Sequence, residues 1–216
     1  MEPYAICRQE SFVNTVQSGE HFYHSAFYDC DFSGADLSET VFDDCLFTER
    51  GAISGCSFDR ANLRDARFIN CQMALSTFHR TDCFGCCFEQ CDLKGAEMSR
   101  AQWVNEISQK SYFCSIIFRQ CNLSYVNFER QIMEGCDLSS NRWHGANLFS
   151  ASLQGSDLSN GEFSQDCWEQ FNLQGCDLRG VDLEGLNPRQ VQLDGVLIRD
   201  WQQQQLLETL GVIVCP

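Results

Sequence analysis

A large apolar side chain occupies every fifth position along most of this 216-residue chain. The series runs from Phe22 to Trp103, with one change of register after Phe47, and again from Phe113 to Leu183. A period of five fits neither the 3.6-residue period of an α-helix nor the two-residue period of an ordinary strand. Internal repetition of this kind is typical of a solenoid rather than of a globular core.

A small residue stands two positions before most of the large ones, as Ala35 does before Leu37 and Cys71 before Met73. Four such five-residue units close a coil of about 20 residues, and equivalent residues then stack roughly 4.8 Å apart, the spacing of paired strands. Parallel crossovers favour a right-handed coil. We therefore predict an all-β solenoid, a right-handed quadrilateral β-helix, over residues 1–198.

The repeat is interrupted twice, at about residues 48–55 and 104–112. Solenoids accept insertions as surface loops, often on a binding face. We expect two projecting loops; the alternatives are a bulge at the first interruption and a locally degenerate side at the second.

Residues 199–216 depart from the repeat and predict a C-terminal helix. Asp200 is a candidate N-cap with Gln203 three residues later, and Gly211 is a candidate stop signal. Because the open end of a solenoid exposes unpaired strand edges, the helix is expected to cover it. The surplus of apolar residues favours an isologous homodimer through this end, with a monomeric cap as the alternative. The residues expected at the dimer contact are Trp201, Leu206, Leu207, Leu210, Val212, Ile213 and Val214.

The formal charge of −15 argues against direct binding of nucleic acid or of an acidic membrane. It favours a partner that is basic or that normally binds nucleic acid, although acidic side chains also keep a rod soluble. No apolar run is long enough to span a membrane, and no signal peptide is expected. Nine of the fifteen cysteines fall at the small inward position, which indicates reduced, structural thiols in a cytoplasmic protein.

No catalytic or metal-binding constellation stands out. The four histidines are scattered, and the Cys83–Cys86 pair has no second ligand pair at zinc spacing. No phosphate-binding glycine motif is present. The sequence predicts a protein without enzymatic activity, cofactor or metal.

The local unit, seen as Ala35-Asp36-Leu37-Ser38 and Cys176-Asp177-Leu178-Arg179, resembles that of the pentapeptide-repeat family. Within that family the chain is similar to the quinolone-resistance (Qnr) group. The stretches that carry this closer resemblance are Tyr112–Ser115, Asn122–Tyr125, Asn141–Trp143, Ser156–Ser159 with Gly161–Ser164, and the Leu210-Gly211 tail.

The resemblance implies a rod-shaped dimer that binds the type II topoisomerases DNA gyrase and topoisomerase IV and protects them from quinolones. Either the acidic rod imitates duplex DNA, or the rod docks and its loops release the drug; we expect a combination. The alternative is a structural or interaction solenoid with another protein partner.

The resemblance and the repeat together nominate three sets of site residues. The partner-binding loops comprise Glu49, Arg50, Ile53, Gly55, Trp103, Val104, Asn105, Glu106, Ile107, Ser108, Gln109, Lys110 and Tyr112, with Trp103, Ile107, Lys110 and Tyr112 expected near the tip of the second loop. Substitution is expected to be harmful at Gly55, Cys71 and Cys114. A candidate acidic docking face contains Asp29, Asp36, Asp43 and Asp44.

Overall fold

The structure, a computed structural model, describes residues 5–108 and 111–213 as a right-handed quadrilateral β-helix followed by a short C-terminal helix. Successive coils pair in parallel at an offset of twenty residues, as Ala5 does with Ser25 and Ala151 with Phe171. The predicted fold class is therefore confirmed. The described residues contain no helix with the length and hydrophobicity of a transmembrane span.

The regular elements are short because each coil turns a corner every five residues. The strands are β1 Ala5–Arg8, β2 His21–Tyr23, β3 Ser25–Tyr28, β4 Val41–Asp43, β5 Arg67–Ile69, β6 Cys86–Glu89, β7 Val104–Ser108, β8 Ser111–Cys114, β9 Ile116–Arg119, β10 Ala151–Ser152 and β11 Phe171–Asn172. A 3-10 helix, Asp200–Gln202, leads into helix α1, Gln203–Thr209.

Four ladders of paired residues form the four sides of the rod. Side 1 is the five-stranded sheet β2-β4-β5-β6-β9. Side 2 contains β1 and β3 and continues through the Leu46–Gln72 and Gln72–Asp92 bridges. Side 3 is the ladder that includes Asp31, Ser57, Thr77, Glu97 and Asn127. Side 4 is the ladder that includes Asp36, Asn62, Asp82 and Gln102 and, further along, β10 and β11.

Stacked side chains fill the interior of the rod. Phe68 is fully buried, and its ring stacks on those of Phe42 and Phe88 with centroid distances of 4.9 Å. Because the large residue of each unit points to the axis at every coil, apolar surface is buried continuously along the rod. The inward column on side 1 consists of Phe22, Phe42, Phe68, Phe88, Phe118, Leu138, Leu158 and Leu178.

The small inward residue at each corner fills space and also donates a hydrogen bond. Thr81 Oγ1 donates to the carbonyl of Phe58 at 2.7 Å, and Ser156 Oγ donates to that of Met133 at 2.6 Å. Cys91 Sγ makes the equivalent contact with the carbonyl of Phe68 at 3.3 Å. Threonine, serine and cysteine at these positions therefore satisfy buried carbonyls of the preceding coil.

The cysteines of the described residues are free, and most are buried. Burial raises the pKa of Cys56 to about 12 and that of Cys176 to about 11, because a thiolate is poorly solvated inside the rod. These thiols are therefore neutral and unreactive at physiological pH.

The repeat predicted that the inward series resumes at Phe113, and this prediction was wrong. It lies in β8 with 45% of its surface exposed, and its ring contacts Phe84 edge-on at 5.2 Å. The next buried inward side chains are Ile116 and Phe118. The spacing of five extends to Phe113 because the inserted segment is ten residues long, twice the repeat.

A buried glutamine anchors the C-terminal helix. Gln202 is fully buried; its Nε2 donates to the carbonyls of Leu178 and Val181 at 2.8 Å, and its Oε1 accepts from the amides of Gly180 and Arg199 at 3.2 and 2.7 Å. Gln202 thus closes the last coil and caps the helical turn that follows Arg199. The prediction of Asp200 as N-cap with Gln203 three residues later was wrong. The N-cap of the 3-10 helix is Arg199, and Gln202 is the residue three positions later.

We expect Gln202→Ala to detach the terminal helix from the coil. Four backbone groups would lose their partner, and an unsatisfied buried polar group costs roughly 1–3 kcal/mol. Hydrogen exchange should then accelerate at Leu178–Val181 and in α1 while the coils before residue 150 keep their protection. Gln203→Ala, at an exposed position one residue later, is the control, and equal exchange in both variants would refute the anchoring role.

Candidate functional site

The two interruptions are insertions of different size on opposite corners of the rod. Between Leu46 and Ser57 the chain holds six residues more than between their partners Gln72 and Thr77. Between Gln102 and Ile116 it holds ten more than between Asp82 and Cys86. The first loop projects between sides 2 and 3, and the second between sides 4 and 1. A single flat surface therefore does not carry both loops.

The first loop is tied to the N-terminal strand. The guanidinium of Arg8 makes two hydrogen bonds to Glu49, at 2.9 and 3.0 Å, and this contact lowers the pKa of Glu49. Ile53 of the same loop is 96% exposed. Arg50 is exposed, and Asp29 lies beside the loop in a shallow hollow. The loop presents one apolar side chain within a charged surround.

Gly55 permits the loop to rejoin the rod. A β-carbon at Gly55 would stand 2.4 Å from the carbonyl oxygen of Ala74 and 2.6 Å from the amide nitrogen of Ser76. Both are backbone atoms of the next coil, which cannot move aside without breaking the ladder. Close approach of two backbones, rather than an unusual φ, is the reason for glycine here.

We expect Gly55→Ala to displace the first loop and to destabilise the protein by about 1–3 kcal/mol, the usual cost of overpacking. Limited trypsin digestion should cut faster after Arg50, the exposed basic residue of the loop. Ser54→Ala removes atoms at the adjacent exposed position and serves as the control. Identical digestion of the two variants would show that the close approach is not restrictive.

The second loop is an antiparallel β-hairpin of β7 and β8 that leans on side 4. Val104 pairs with Cys114 and Glu106 with Tyr112, with an irregularity between Glu106 and Ser108. The Tyr112 hydroxyl donates to Glu134 at 2.8 Å, and this contact raises the pKa of Tyr112. Ile107 is 71% exposed, and Asn105 and Glu106 are also exposed. The hairpin thus offers an apolar residue on a supported arm.

Trp103 is not part of the exposed arm, contrary to expectation. It is buried to 1% exposure, and its Nε1 donates to the carbonyl of Ile132 at 2.8 Å. Its position is an inward one of the repeat, so it fixes the root of the hairpin and is not exposed on the surface of the rod. Cys114 Sγ lies 3.4 Å from the same carbonyl and holds the other strand.

Cys71 belongs to neither loop and is fully buried in the interior. Its Sγ donates to the carbonyls of Phe42 and Ile69, each at 3.4 Å, at the corner between sides 1 and 2. Cys45 and Cys91 occupy the same corner in the adjacent coils. A larger side chain at Cys71 would have no space, so its expected sensitivity has a packing cause.

The four candidate acidic residues do not share one face. Asp43 lies on side 1 and Asp36 on side 4, while Asp29 follows β3 on side 2. Asp44 lies at the corner after side 1. Its carboxylate is 2.7 Å from His24 Nδ1 and accepts a hydrogen bond from Asn70 Nδ2 at 2.9 Å. The prediction that these residues form a single docking face was wrong, because successive five-residue units lie on successive sides of the rod.

The terminal segment leaves apolar surface exposed at the end of the rod. Trp201 is 55% exposed and Ile213 86%, with Val212 beside them. Leu206, Leu207 and Leu210 are half-buried, and Leu206 packs against the core. Of the remaining predicted residues, Gln109, Lys110 and Val214 lie outside the described residues, and Ser108 is described only through its backbone in β7.

The sequence did not predict three residues that hold the loops and the terminal helix in place: Arg8, Glu134 and Gln202. Each supports a loop or the helix through a contact some 20 to 40 residues away in the chain. All three are polar residues that contact a neighbouring coil. The sequence could identify these contacts only if the loop lengths, which set the alignment of the coils, were known. Among residues 5–108 and 111–213, no group of three His, Cys, Asp or Glu side chains is arranged to hold a metal ion.

Comparisons with known proteins agree with this architecture. The sequence profile of pentapeptide repeats matches residues 25–49 and 54–102 in eight copies. A pentapeptide repeat protein of Vibrio parahaemolyticus is 57% identical over 93 residues, 43% of either chain. The pentapeptide repeat protein QnrB4 of Escherichia coli is 41% identical over 136 residues, 63% of either chain. The alignments thus span less than two thirds of these curated relatives.

A solved structure extends the likeness to the whole chain. Trypsin-treated QnrB1, described as a plasmid-mediated fluoroquinolone resistance protein, superposes with a TM-score of 0.93 at 38% identity, covering 100% of both chains. Full-length QnrB1 gives a TM-score of 0.91 at 39% identity, over 96% of this chain and 98% of that one. This structural repeat architecture is not that of a known enzyme family. The chain belongs to the Qnr family of pentapeptide repeat proteins.

Proposed function

We propose that this protein protects the type II topoisomerases DNA gyrase and topoisomerase IV from quinolone antibiotics by binding to them. The observation that carries the proposal is the end-to-end correspondence with QnrB1, a fluoroquinolone resistance protein, at 38% identity. The correspondence spans all of both chains, so it is not limited to the repeats that pentapeptide proteins have in common.

The charge and shape of the rod support binding to an enzyme that normally holds DNA. A formal charge of −15 on a continuous column of coils favours a basic groove and disfavours DNA itself. Carboxylates lie on several sides of the rod, which suits a groove that surrounds it better than one flat contact. Binding through this charge should weaken as salt rises.

The loops supply the second part of the proposed mechanism. Ile53 and Ile107 are exposed apolar side chains on supported loops at opposite corners. In a complex they would reach different parts of the enzyme, so we assign docking to the acidic sides and release of the drug to the hairpin. Protection would then involve no catalysis by this protein and would take place in the cytoplasm.

We also propose that two copies join through their C-terminal ends. Trp201, Val212 and Ile213 form exposed apolar surface where the rod stops, and an isologous contact would cover it in both copies. Ile213→Asp leaves the Gln202 anchor intact and should halve the mass measured in solution. A mass that stays twofold would exclude this interface.

Growth of a susceptible bacterium tests the protective function. Expression of the protein in quinolone-susceptible Escherichia coli should raise the minimal inhibitory concentration of ciprofloxacin and leave that of ampicillin unchanged. The Gly55→Ala variant, at equal expression, should give less protection than Ser54→Ala. An unchanged ciprofloxacin value with abundant soluble protein would reject the proposal.

A further inference from the structure

Four arginines form a column on the corner between sides 3 and 4. They occupy the same position of the repeat in consecutive coils, and the amide of Arg80 donates to the carbonyl of Arg100 at 3.0 Å. At roughly 4.8 Å per coil the column is about 14 Å long. Its members are Arg60, Arg80, Arg100 and Arg130.

The column is exposed and almost free of ion pairs. All four side chains are exposed. Arg130 lies 3.5 Å from Glu129, whereas no ion pair within the described residues involves Arg60, Arg80 or Arg100. Other arginines of the rod are paired, such as those at positions 64, 67, 119, 142 and 179.

The carboxylates nearest the column already have partners. Asp59 accepts from Thr77 Oγ1 at 2.7 Å and lies 3.2 Å from His79 Nδ1. Asp82 pairs with Arg64 at 3.0 Å. On the same side as Asp59, Glu97 accepts from Ser99 and Asn127. Among the described residues, the guanidinium groups of Arg60, Arg80 and Arg100 therefore have no carboxylate in direct ion-pair contact, and only Arg130 has one, Glu129.

The backbone gives no reason for arginine at these corners. Arg60, Arg80 and Arg130 have φ values of 60°, 58° and 59°, in the left-handed region that glycine and asparagine adopt more readily. An exposed side chain contributes little packing that would offset this cost. The column thus has a feature, concentrated positive charge, that stability does not require.

We propose that this arginine column binds a short acidic segment of a partner protein. Guanidinium groups pair with carboxylates in a bidentate manner, and an extended segment of roughly four residues, at about 3.3 Å each, matches the column length. Duplex DNA is a poorer fit, because it would extend beyond the column onto the acidic remainder of the rod. The column borders side 4, and the hairpin projects from the opposite edge of that side.

A binding assay with defined probes tests this inference on the full chain. The anisotropy of fluorescein-labelled hexaglutamate is measured at low ionic strength with the unmodified protein and with Arg60→Gln/Arg80→Gln/Arg100→Gln. Glutamine suits these corners, since Gln90 and Gln120 adopt φ values of 56° at equivalent corners. We expect the triple variant to bind about tenfold more weakly, from three exposed charge pairs.

Arg67→Gln/Arg142→Gln/Arg179→Gln removes the same charge from other parts of the rod and should change affinity less than about twofold. Absence of binding by the unmodified protein, or equal weakening by both variants, would overturn the inference. Tighter binding of a short DNA duplex than of the peptide would do so too. The assay contains no topoisomerase, so its outcome is independent of the proposed function.

Discussion

Replacing Phe68 by alanine should destabilise the protein by about 3–5 kcal/mol, the range for truncating a buried phenylalanine. Phe68 is fully buried, stacks on Phe42 and Phe88 at 4.9 Å, and meets Phe47 and Phe58 edge-on at 6.0 Å. The column is continuous, so a cavity at Phe68 would weaken the contact with the coils on both sides. A loss of this size is a large share of the roughly 5–15 kcal/mol that stabilises a typical protein. Urea denaturation measures it.

Phe149→Ala is the matched control for this substitution. Phe149 belongs to the same repeat but is 55% exposed, so its truncation should cost less than about 1 kcal/mol. If both variants lost equal stability, the stacked interior would not be the source of the rod's rigidity.

Removing the hairpin in register should abolish protection and leave the rod intact. Deletion of residues 105–114 joins Val104 to Ser115 and restores the twenty-residue coil, because Gln102 and Ile116 then keep the spacing of Asp82 and Cys86. The amide of Ser115 already donates to the carbonyl of Trp103 at 3.0 Å, so the two ends are close. Shortening a surface loop changes the free energy of unfolding by less than about 1 kcal/mol. Thermal melting and a gyrase assay in the presence of ciprofloxacin measure the two effects.

A ten-residue Gly-Ser segment in place of residues 105–114 keeps the length and removes the side chains. Like the deletion variant, this Gly-Ser variant should not protect gyrase from ciprofloxacin. Full protection by either variant would exclude the hairpin from the mechanism. Deletion of 104–112, the boundaries expected from the sequence, would remove only nine residues and leave the coil one residue out of register.

The sequence was sufficient to predict the rod because its core is local and periodic. Phe42 and Phe68 could be assigned inward positions from spacing alone, and both are fully buried. The same rule misplaced Phe113, since a ten-residue insertion preserves a five-residue period. For Trp103 the rule was right and the loop assignment was wrong: its repeat position points inward, and the side chain is buried.

The candidate site could be predicted only in outline. The loops and Gly55 follow from the interrupted repeat, but the Arg8–Glu49 and Tyr112–Glu134 contacts depend on which coil lies next to which loop. The acidic residues Asp36 and Asp43 were grouped by nearness in sequence, whereas the coil turns them onto different sides. Around a four-sided rod, residues twenty apart are neighbours and residues seven apart are not.

The measurement that tests the central proposal most directly is DNA supercoiling by gyrase inhibited with ciprofloxacin, titrated with this protein. We predict that supercoiling returns at protein concentrations that leave the drug-free reaction unaffected, and that the in-register hairpin deletion does not restore it. Failure of the intact protein to restore supercoiling at any concentration would contradict the proposed function.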